Sequence, residues 1–380
     1  MLNRSFYLGS LKLPSNILCA PLAGCSDLPF RRMLSKYKPG LMYCEMVKME
    51  ALLYNQLKTF PLLDKDPDIH PIGAQLCGSN PKIAAECARM IEDRGFDVLD
   101  LNCGCPVDKV TKDGSGSGLL KNPEVIGEIV SNMVAAVKIP VTVKIRAGWD
   151  STSIVSPEVT RIVEAAGAKA ICIHGRTRAQ AYRGPANWDY IKIAKEAATT
   201  IKVIGNGDII NIANAERMFK ETGCDALLLA RGTMGQPWLI EDIYNHFEGV
   251  PAKTRSPIEG RDIFLEHLEH IVAYKTPEKA HLDLRRVGCW FLRNINGAKA
   301  LREAINRASS IEVIRKMIED YPWHNCEIIP MSIKEETAAP DETPQSSPLR
   351  EESGASVTKC EASLLVEESP RLSEEIIQCC

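Results

Sequence analysis

The feature that most constrains this chain is a series of short apolar runs that alternate with longer segments of helical pattern. Eight such runs can be counted, each of strand length. Alternation of this kind is typical of βαβ units with parallel strands, and eight such strands close a (β/α)₈ TIM barrel. The sequence therefore predicts that fold. The runs are Asn16–Pro21, Leu41–Cys44, Ile72–Leu76, Val98–Asn102, Val141–Ile145, Ala170–His174, Lys202–Gly205 and Ala226–Ala230.

The segments between the runs carry residues that begin and end helices. In Pro81–Arg94 apolar residues recur at every fourth position, and Gly95 follows where a C-terminal cap is expected. Asn122, Pro123 and Glu124 form a helix start, with Asn122 as the expected N-terminal cap. Helices are therefore expected between the strands, as the barrel requires.

After Gly249 the strand pattern stops. Pro251–Pro257 is interpreted as a linker, and the helical pattern of Ile258–Tyr321, which includes one run over Arg285–Ala308, predicts a small all-helical domain. From Ser332 a stretch rich in Ser and Glu, punctuated by prolines, predicts a disordered acidic tail. The predicted parts are a barrel domain at 1–249, a helical domain at 258–325 and the tail at 332–380.

Charge and cysteine content limit the partners and the compartment. The net charge is −3, but eleven acidic and four basic residues lie from Ser332 onward, so the rest carries 42 basic against 38 acidic residues. A mildly basic body permits a nucleic-acid partner. The sequence has no signal-like start and no apolar stretch near the roughly 18 residues of a spanning helix, so we expect a cytoplasmic protein without a membrane partner. Its fourteen cysteines are scattered, and we expect them to be reduced.

Glycines follow the last two expected strands. Active sites of such barrels gather at the C-terminal strand ends, and the loops after strands seven and eight commonly bind phosphate through backbone N–H groups. Gly205, Gly207 and Gly232 would let that backbone approach an anion closely, so we expect a phosphorylated ligand. Simple turn formation is the alternative reading of these glycines.

Lys144 lies inside an apolar strand, where a charge is costly unless it is paired. We expect it to face the barrel mouth and meet an anionic group. A structural ion pair with Asp100 or Glu45 is the alternative.

A cysteine in a Gly/Pro loop marks the end of the fourth strand, in the segment Asn102-Cys-Gly-Cys-Pro106. A thiol exposed at such a strand end can deliver a proton to a carbon atom, so Cys105 is the candidate catalytic residue. Cys103 is expected to be a packing residue. A Cys-x-Cys pair can also bind metal, but no second close pair supplies the remaining ligands, and no metal is expected.

These motifs resemble those of the tRNA-dihydrouridine synthases, most closely the bacterial B type. Ala20–Arg31 resembles the opening motif of that family, and Asp100–Pro106 resembles the signature around its cysteine. Matches at Val143–Arg146, His174–Arg178 and Gly205–Asp208 follow in family order, within a resemblance that runs from Leu8 to Trp323.

The resemblance implies an FMN-dependent enzyme that uses NADPH as reductant and converts uridines of tRNA to 5,6-dihydrouridine. Hydride would pass from the flavin to C6 of the uracil ring while Cys105 protonates C5. A helical domain carrying Arg285, Arg286 and Arg293 would form the second wall of a tRNA cleft, and we expect a monomer. Implied FMN contacts are Pro21, Leu22, Ala23, Gln75, Lys144, His174, Asn206, Gly207, Asp208, Ala230 and Arg231. Implied contacts to uridine and tRNA are Asn102, Arg146 and Arg178.

Two alternatives remain open from the sequence. A flavin-dependent dehydrogenase of free pyrimidines, similar to dihydroorotate dehydrogenase, shares the barrel and its chemistry but does not need an arginine-rich helical domain. A tRNA-binding chaperone that has lost catalysis does not need Cys105 or Lys144. The arginines of both parts, including Arg176, Arg178 and Arg183, could equally be solvated surface residues.

Overall fold

Eight parallel strands close a barrel in this computed structural model, which describes residues 6–331. Each barrel strand coincides with one predicted apolar run, so the predicted fold is confirmed. The predicted tail, which begins at Ser332, lies outside the described residues. The strands are the hairpin β1 (Phe6–Leu8) and β2 (Leu11–Leu13), and then the barrel strands β3 (Ile17–Cys19), β4 (Leu41–Lys48), β5 (Ile72–Cys77), β6 (Val98–Cys103), β7 (Val141–Arg146), β8 (Ala170–His174), β9 (Lys202–Asn206) and β10 (Ala226–Leu229).

Side chains alternate along each barrel strand between the interior and the surrounding helices. On β6, Leu99 and Leu101 pack in the core under the helices, whereas Val98 packs inside the barrel. Asp100 and Asn102 continue that inward row, with hydrogen bonds to neighbouring strands. The interior is therefore apolar at the N-terminal strand ends and polar toward the C-terminal ends.

The hairpin of β1 and β2 covers the N-terminal end of the barrel. Phe6, Leu8 and Leu13 are buried in one cluster with Leu41 and Val98 at the starts of β4 and β6. Runs of three residues are too short for periodicity to reveal, and the sequence analysis therefore missed this hairpin.

Helices pack outside the barrel, largely where the sequence predicts them. The helix Pro81–Asp93 has a side-chain cap from Asn80, and Gly95 beyond its end has φ +72°. The helix Pro123–Ala136 begins where predicted, but the expected cap was wrong, because Asn122 makes no side-chain capping bond. The helices are α1 (Leu28–Ser35), α2 (Met49–Leu53), α3 (Pro81–Asp93), α4 (Asp108–Thr111), α5 (Pro123–Ala136), α6 (Ser156–Ala165), α7 (Asp189–Ala197), α8 (Ile212–Thr222) and α9 (Leu239–Phe247).

The part after the barrel is helical, as predicted, but its long central run is two helices. Arg285–Ala308 is broken after Leu292, where Gly297 adopts φ +85° and a short strand pairs with a later one. Within residues 6–331 no helix is both long and apolar enough to cross a membrane. The elements are α10 (Pro257–Tyr274), α11 (Pro277–Leu292), β11 (Ile295–Asn296), α12 (Lys299–Arg307), α13 (Ile311–Glu319) and β12 (Glu327–Ile328).

An aromatic cluster joins these helices to the barrel. Phe30 of α1 lies edge-on to Trp290 of α11, with ring centroids 5.9 Å apart, and contacts His267 of α10 at 6.0 Å. Phe264 and Phe291 stack at 5.0 Å beside them. All five rings are buried, so the C-terminal helices share one core with the barrel layer.

The predicted linker Pro251–Pro257 is fixed by a charged cluster around Arg255. Its guanidinium forms ion pairs with Glu241 at 2.6 Å, with Asp242, and with Glu259 at 2.7 Å. The Arg255 side chain is only 7% exposed, so removing it would leave the largely buried Asp242 carboxylate without a counter-ion. The linker therefore fixes α10 to α9.

We expect Arg255→Met to lower the free energy of unfolding by about 2 kcal/mol, because a largely buried ion-pair cluster loses its central cation. Urea unfolding followed by circular dichroism measures the change. Arg261→Met is the matched control, since Arg261 makes an exposed pair with its neighbour Asp262 and should shift stability by less than about 0.5 kcal/mol. Equal destabilisation of the two variants would contradict the assigned role of Arg255.

Candidate active site

The C-terminal strand ends bring most of the sequence-predicted residues to one mouth. Gln75 and Asn102 lie near the C-terminal ends of β5 and β6, Lys144 and Arg146 at that of β7, and His174 at that of β8. These strands are neighbours in the barrel, and the five side chains all fall on the inward row. The sequence could predict this convergence because barrel closure alone produces it.

The loop of Cys105 is held by hydrogen bonds on several sides. Asn102 Oδ1 accepts from the backbone N–H of Gly104 at 3.1 Å and of Cys105 at 2.9 Å. The Cys105 carbonyl accepts from the N–H and hydroxyl of Ser117 at 3.0 and 2.8 Å. Arg146 Nε donates to the Gly104 carbonyl at 2.9 Å. The position of the cysteine is therefore fixed by the barrel and not left to a mobile loop.

A relay of side chains supports Asn102 from below. Asn102 Nδ2 donates to Gln75 Oε1 at 2.7 Å, and Gln75 Nε2 donates to Asp100 Oδ2 at 2.7 Å. Thr142 donates to the other Asp100 oxygen at 2.6 Å. Burial raises the pKa of Asp100 to about 6. The sequence analysis missed Asp100 and Thr142 as supports, although the alternation along β6 and β7 points them inward.

The Cys105 thiol is half-buried, whereas Cys103 is fully buried in the core, as expected of a packing residue. Burial raises the pKa of Cys105, and a backbone hydrogen bond from Val107 and the charge of Arg146 offset only part of that effect. The thiol therefore keeps its proton at neutral pH, which suits a proton donor more than a nucleophile.

Lys144 is a half-buried cation with no carboxylate within ion-pair distance among residues 6–331, although the charge of Asp100 acts on it from farther away. The two alternative partners are occupied elsewhere, because Asp100 bonds Gln75 and Thr142, and Glu45 accepts from the backbone of the first βα loop. Burial lowers the pKa of Lys144. A cation in the mouth that lacks a counter-ion fits an anionic ligand.

Arg146 is buried, with 2% exposure, and its hydrogen bonds go only to carbonyl oxygens. Nη1 donates to Thr177 at 2.9 Å and to Ala181 at 2.6 Å, and Nη2 has no hydrogen-bond partner in the described part of the chain. Burial lowers the pKa of Arg146 to about 10. Tyr182 lies against both Arg146 and Arg231, at 5.4 and 5.3 Å from ring centre to guanidinium carbon. The sequence analysis missed Tyr182, although an aromatic residue within an arginine-rich loop is the pattern expected at a nucleic-acid contact.

Arg176 and Asp208 form a buried, two-pronged ion pair that the sequence analysis did not recognise. Both Nη atoms of Arg176 lie 2.9 Å from the Asp208 carboxylate, and the side chains are 2% and 5% exposed. His174 Nε2 lies 3.3 Å from Arg176, and burial together with the surrounding cations holds the pKa of His174 well below its usual value. His174 is therefore neutral. Arg231 approaches the same carboxylate at 3.6 Å.

The glycines at the ends of β9 and β10 are also needed for close packing within the protein, which the sequence did not reveal. A side chain on Gly207 would lie 2.8 Å from Ala186, one on Gly205 would lie 2.5 Å from the Met218 sulfur, and one on Gly232 would lie 2.2 Å from a backbone oxygen. Close packing of the protein itself therefore requires these glycines.

The loop after β10 still has the backbone form that an anion site needs. Ala230 precedes a single 3₁₀ turn, Arg231–Thr233, whose first N–H groups have no partner within the turn. Asn206 stabilises the C-terminal end of β10, because its side-chain amide donates to the Leu228 carbonyl at 2.7 Å. The predicted residues Asn206, Gly207, Asp208, Ala230 and Arg231 thus lie together at the ends of two paired strands.

Pro21, Leu22 and Ala23 lie in the first βα loop, residues 20–27, between β3 and α1. Pro21 and Leu22 are half-buried and Ala23 is exposed. The Leu22 N–H donates to the Ser26 hydroxyl at 2.8 Å, which tightens the loop. Pro21 and Lys144 line the same small cavity inside the mouth.

Arg178, expected to contact tRNA, lies at the rim of the mouth. Its guanidinium pairs with the exposed Asp108, and its guanidinium carbon lies 4.6 Å from the ring centre of Trp149. Lys121 Nζ lies over the same ring, 3.7 Å from its centre. Sequence reasoning missed Trp149 and Lys121. Among residues 6–331, no group of three or more His, Cys, Asp or Glu side chains could hold a metal ion.

The three arginines expected in a tRNA cleft are half-buried on or beside α11. Arg285 donates to the Ala308 carbonyl at 3.3 Å, and Arg293 to the Met331 sulfur at 3.5 Å. Arg286 donates to the carbonyl of Gly24 in the first βα loop. Each of them therefore makes a contact within the protein.

Comparisons with known proteins point to one family. A family profile described as "Dihydrouridine synthase (Dus)" matches residues 18–321. The chain is 38% identical over 319 residues to "Probable tRNA-dihydrouridine synthase 1" of Synechocystis sp., which covers 83% of this chain and 89% of that one. A "Probable tRNA-dihydrouridine synthase" of Rickettsia bellii is 37% identical, covering 83% and 97%. "tRNA-dihydrouridine synthase B" of Pseudomonas aeruginosa is 35% identical, covering 79% and 90%.

We expect alkylation of Cys105 by iodoacetamide to accelerate by about tenfold per pH unit from pH 7 to pH 9 without a plateau, because only the thiolate reacts and burial raises the thiol pKa. Peptide mass spectrometry after timed quenching measures the rate. Cys103 is the internal control and should stay unmodified while the protein is folded. A plateau below pH 8 would show a depressed pKa and remove the argument for a protonated thiol.

Proposed function

This chain belongs to the dihydrouridine synthase family, and from that premise we propose that it reduces the C5–C6 double bond of specific uridines in tRNA to 5,6-dihydrouridine. The resemblance read from its motifs is confirmed, and the relatives it matches include proteins named as the B type. The single observation that carries the chemical proposal is the rigidly held, protonated Cys105 thiol at the barrel mouth.

FMN is the proposed cofactor, with NADPH as reductant. Bound flavin would supply the two-electron reduction of the uracil ring, which no side chain can provide. Lys144 supports this assignment, because an unpaired cation in the mouth favours the negative charge of a reduced flavin ring. Residues proposed to hold FMN are Pro21, Leu22, Ala23, Gln75, Lys144, His174, Asn206, Gly207, Asp208, Ala230 and Arg231.

Cys105 is the proposed general acid, delivering its proton to C5 of the uracil ring. A general acid must carry its proton at working pH and be held in reach of the reacting atom. Burial raises the pKa of Cys105, so the thiol carries its proton at neutral pH. Hydrogen bonds to Asn102 and Ser117 hold the backbone of Cys105 in place. Asn102 was expected to contact uridine, and its occupied amide supports a role in positioning the Cys105 loop.

Arg146 and Arg178 are proposed to bind the substrate. The free Nη2 of Arg146 can donate to a carbonyl of the base or to a phosphate. A uridine must leave its stack to reach the thiol, at a cost of a few kcal/mol that is smallest for an unpaired loop base. We infer that residues 1–249 bind FMN and that the helices within 258–325 bind the body of the tRNA.

The family match favours this function over a dehydrogenase of free pyrimidines or a catalytically inactive chaperone. All the curated relatives reported above are named as tRNA-dihydrouridine synthases. Comparing turnover of tRNA with turnover of free uracil or orotate distinguishes the proposed function from the dehydrogenase. Flavin absorbance of the purified protein distinguishes it from the inactive chaperone.

We expect Cys105→Ala to retain the yellow flavin spectrum and to lose 10²- to 10⁴-fold of its rate on tRNA, roughly the contribution of a positioned general acid. Mass spectrometry of dihydrouridine in tRNA measures the rate. Cys103→Ala is the matched control, because that neighbouring thiol is buried in the core, and its loss should reduce stability without a comparable loss of rate. Full activity of Cys105→Ala would rule out the acid role.

A further inference from the structure

Gly24, at the tip of the first βα loop, is held through both of its backbone polar groups. Its N–H donates to the carboxylate of Glu45 on β4, and its carbonyl accepts from Arg286 on α11. Gly24 adopts φ +72°, a conformation that other residues rarely take. The loop that carries Pro21, Leu22 and Ala23 is thus fixed on one side by the barrel and on the other by the C-terminal helices.

Glu45 reaches this loop because of an irregularity in its strand. The pairing of β4 with β5 shifts register between Tyr43 and Met46, which is where Glu45 lies. Such irregularities re-aim side chains near functional sites. Glu45 is buried, and burial raises its pKa, with the bond from Gly24 offsetting part of that effect.

The guanidinium of Arg286 is committed within the protein. Nη1 donates to the Gly24 carbonyl, Nη2 donates to Asp283 Oδ1 at 2.8 Å, and the group lies 5.2 Å from the ring centre of Trp290. The side chain is 18% exposed, and its Nε is buried without a partner in the described part of the chain. Both Nη atoms thus already donate to acceptors within the protein, and Nε is buried.

A second contact joins the same helix region to the same loop. Lys275, just before α11, forms ion pairs with Asp27 at the end of the loop and with Asp283 of α11. Asp27 also caps α1, accepting from the Phe30 N–H at 3.1 Å. Arg286, Asp283 and Lys275 therefore form one charged network that connects the C-terminal helices to both the tip and the end of the loop.

We propose that Arg286 is a positioning residue for the flavin-binding loop and not an RNA contact. It fixes the Gly24 carbonyl, and through it the backbone of Pro21–Ala23, so that docking of the C-terminal helices and binding of the flavin are energetically coupled. This inference rests on the proposed function, since it takes the first βα loop to contact FMN. Coupling of two binding events is reciprocal, so bound FMN should also hold the helices more firmly against the barrel.

The test compares Arg286→Met and Arg286→Lys with Arg285→Met. Arg285 is the neighbouring residue on the same helix, and its hydrogen bond goes to Ala308, away from the loop. Both methionine variants lose one positive charge at adjacent positions. Lysine at position 286 keeps the charge and a donor for the Gly24 carbonyl but lacks the two separate Nη groups of the guanidinium, so we expect it to restore part of the effect.

The first readout is hydrogen exchange of the flavin-free protein, followed by mass spectrometry. We expect Arg286→Met to raise exchange of peptides covering residues 20–27 by about tenfold, roughly the effect of losing one charged hydrogen bond, while peptides of β6 stay as in the wild type. Exchange of the same peptides in Arg286→Lys should lie between that of the wild type and that of Arg286→Met. Exchange in Arg285→Met should match the wild type. Unchanged exchange at 20–27 in Arg286→Met, or a rise of equal size in every peptide, would overturn the proposal.

The second readout is binding of FMN, measured by quenching of flavin fluorescence, beside binding of tRNA at two salt concentrations. We expect FMN to bind Arg286→Met about tenfold more weakly, with Arg285→Met within twofold of wild type. A lost phosphate contact would instead flatten the salt dependence of tRNA binding in Arg286→Met and leave FMN affinity intact, which would overturn the proposal. A wild-type protein that binds no FMN would refute the proposed function, and the exchange readout would still decide the role of Arg286.

Discussion

Asn102 stands at the end of β6 with one amide group that bonds in two directions. Its nitrogen reaches Gln75, and through it Asp100 inside the barrel, while its oxygen holds the backbone of the Cys105 loop. Buried polar groups that lack partners are costly, so each member of this relay fixes the orientation of the next. The placement of the thiol therefore depends on side chains deeper in the barrel, down to Asp100.

Charge at the mouth is arranged unevenly. Arg176 is neutralised by Asp208, whereas Lys144 and Arg146 have no carboxylate within ion-pair distance among residues 6–331. Two partly uncompensated cations in a low-dielectric mouth favour anionic ligands. Burial, together with these cations, lowers the pKa of His174 and keeps it neutral. The same field opposes the effect of burial on Cys105, yet burial prevails and the thiol keeps its proton.

The barrel could be predicted because strands covered on both sides read as continuous apolar runs, and closure then brings Gln75, Lys144 and His174 together without further information. Contacts that depend on the detailed geometry could not be predicted from the sequence. The sequence pointed to Gly207 as an approach for an anion, but it could not show that a β carbon there would lie 2.8 Å from Ala186. Arg286 looked like a surface cation, but it bonds Gly24, which lies 262 positions away along the chain. Such long-range partners leave no local pattern in a sequence.

The hairpin of β1 and β2 has a kinetic consequence. Because Phe6, Leu8 and Leu13 cover the far end of the barrel, the C-terminal mouth is the side from which the thiol and its ligands are reached. In the function proposed above, a nicotinamide and a nucleotide base would both need the same flavin face and could not occupy that mouth together. The two substrates would then bind in turn, and a tightly bound RNA would delay the next delivery of electrons.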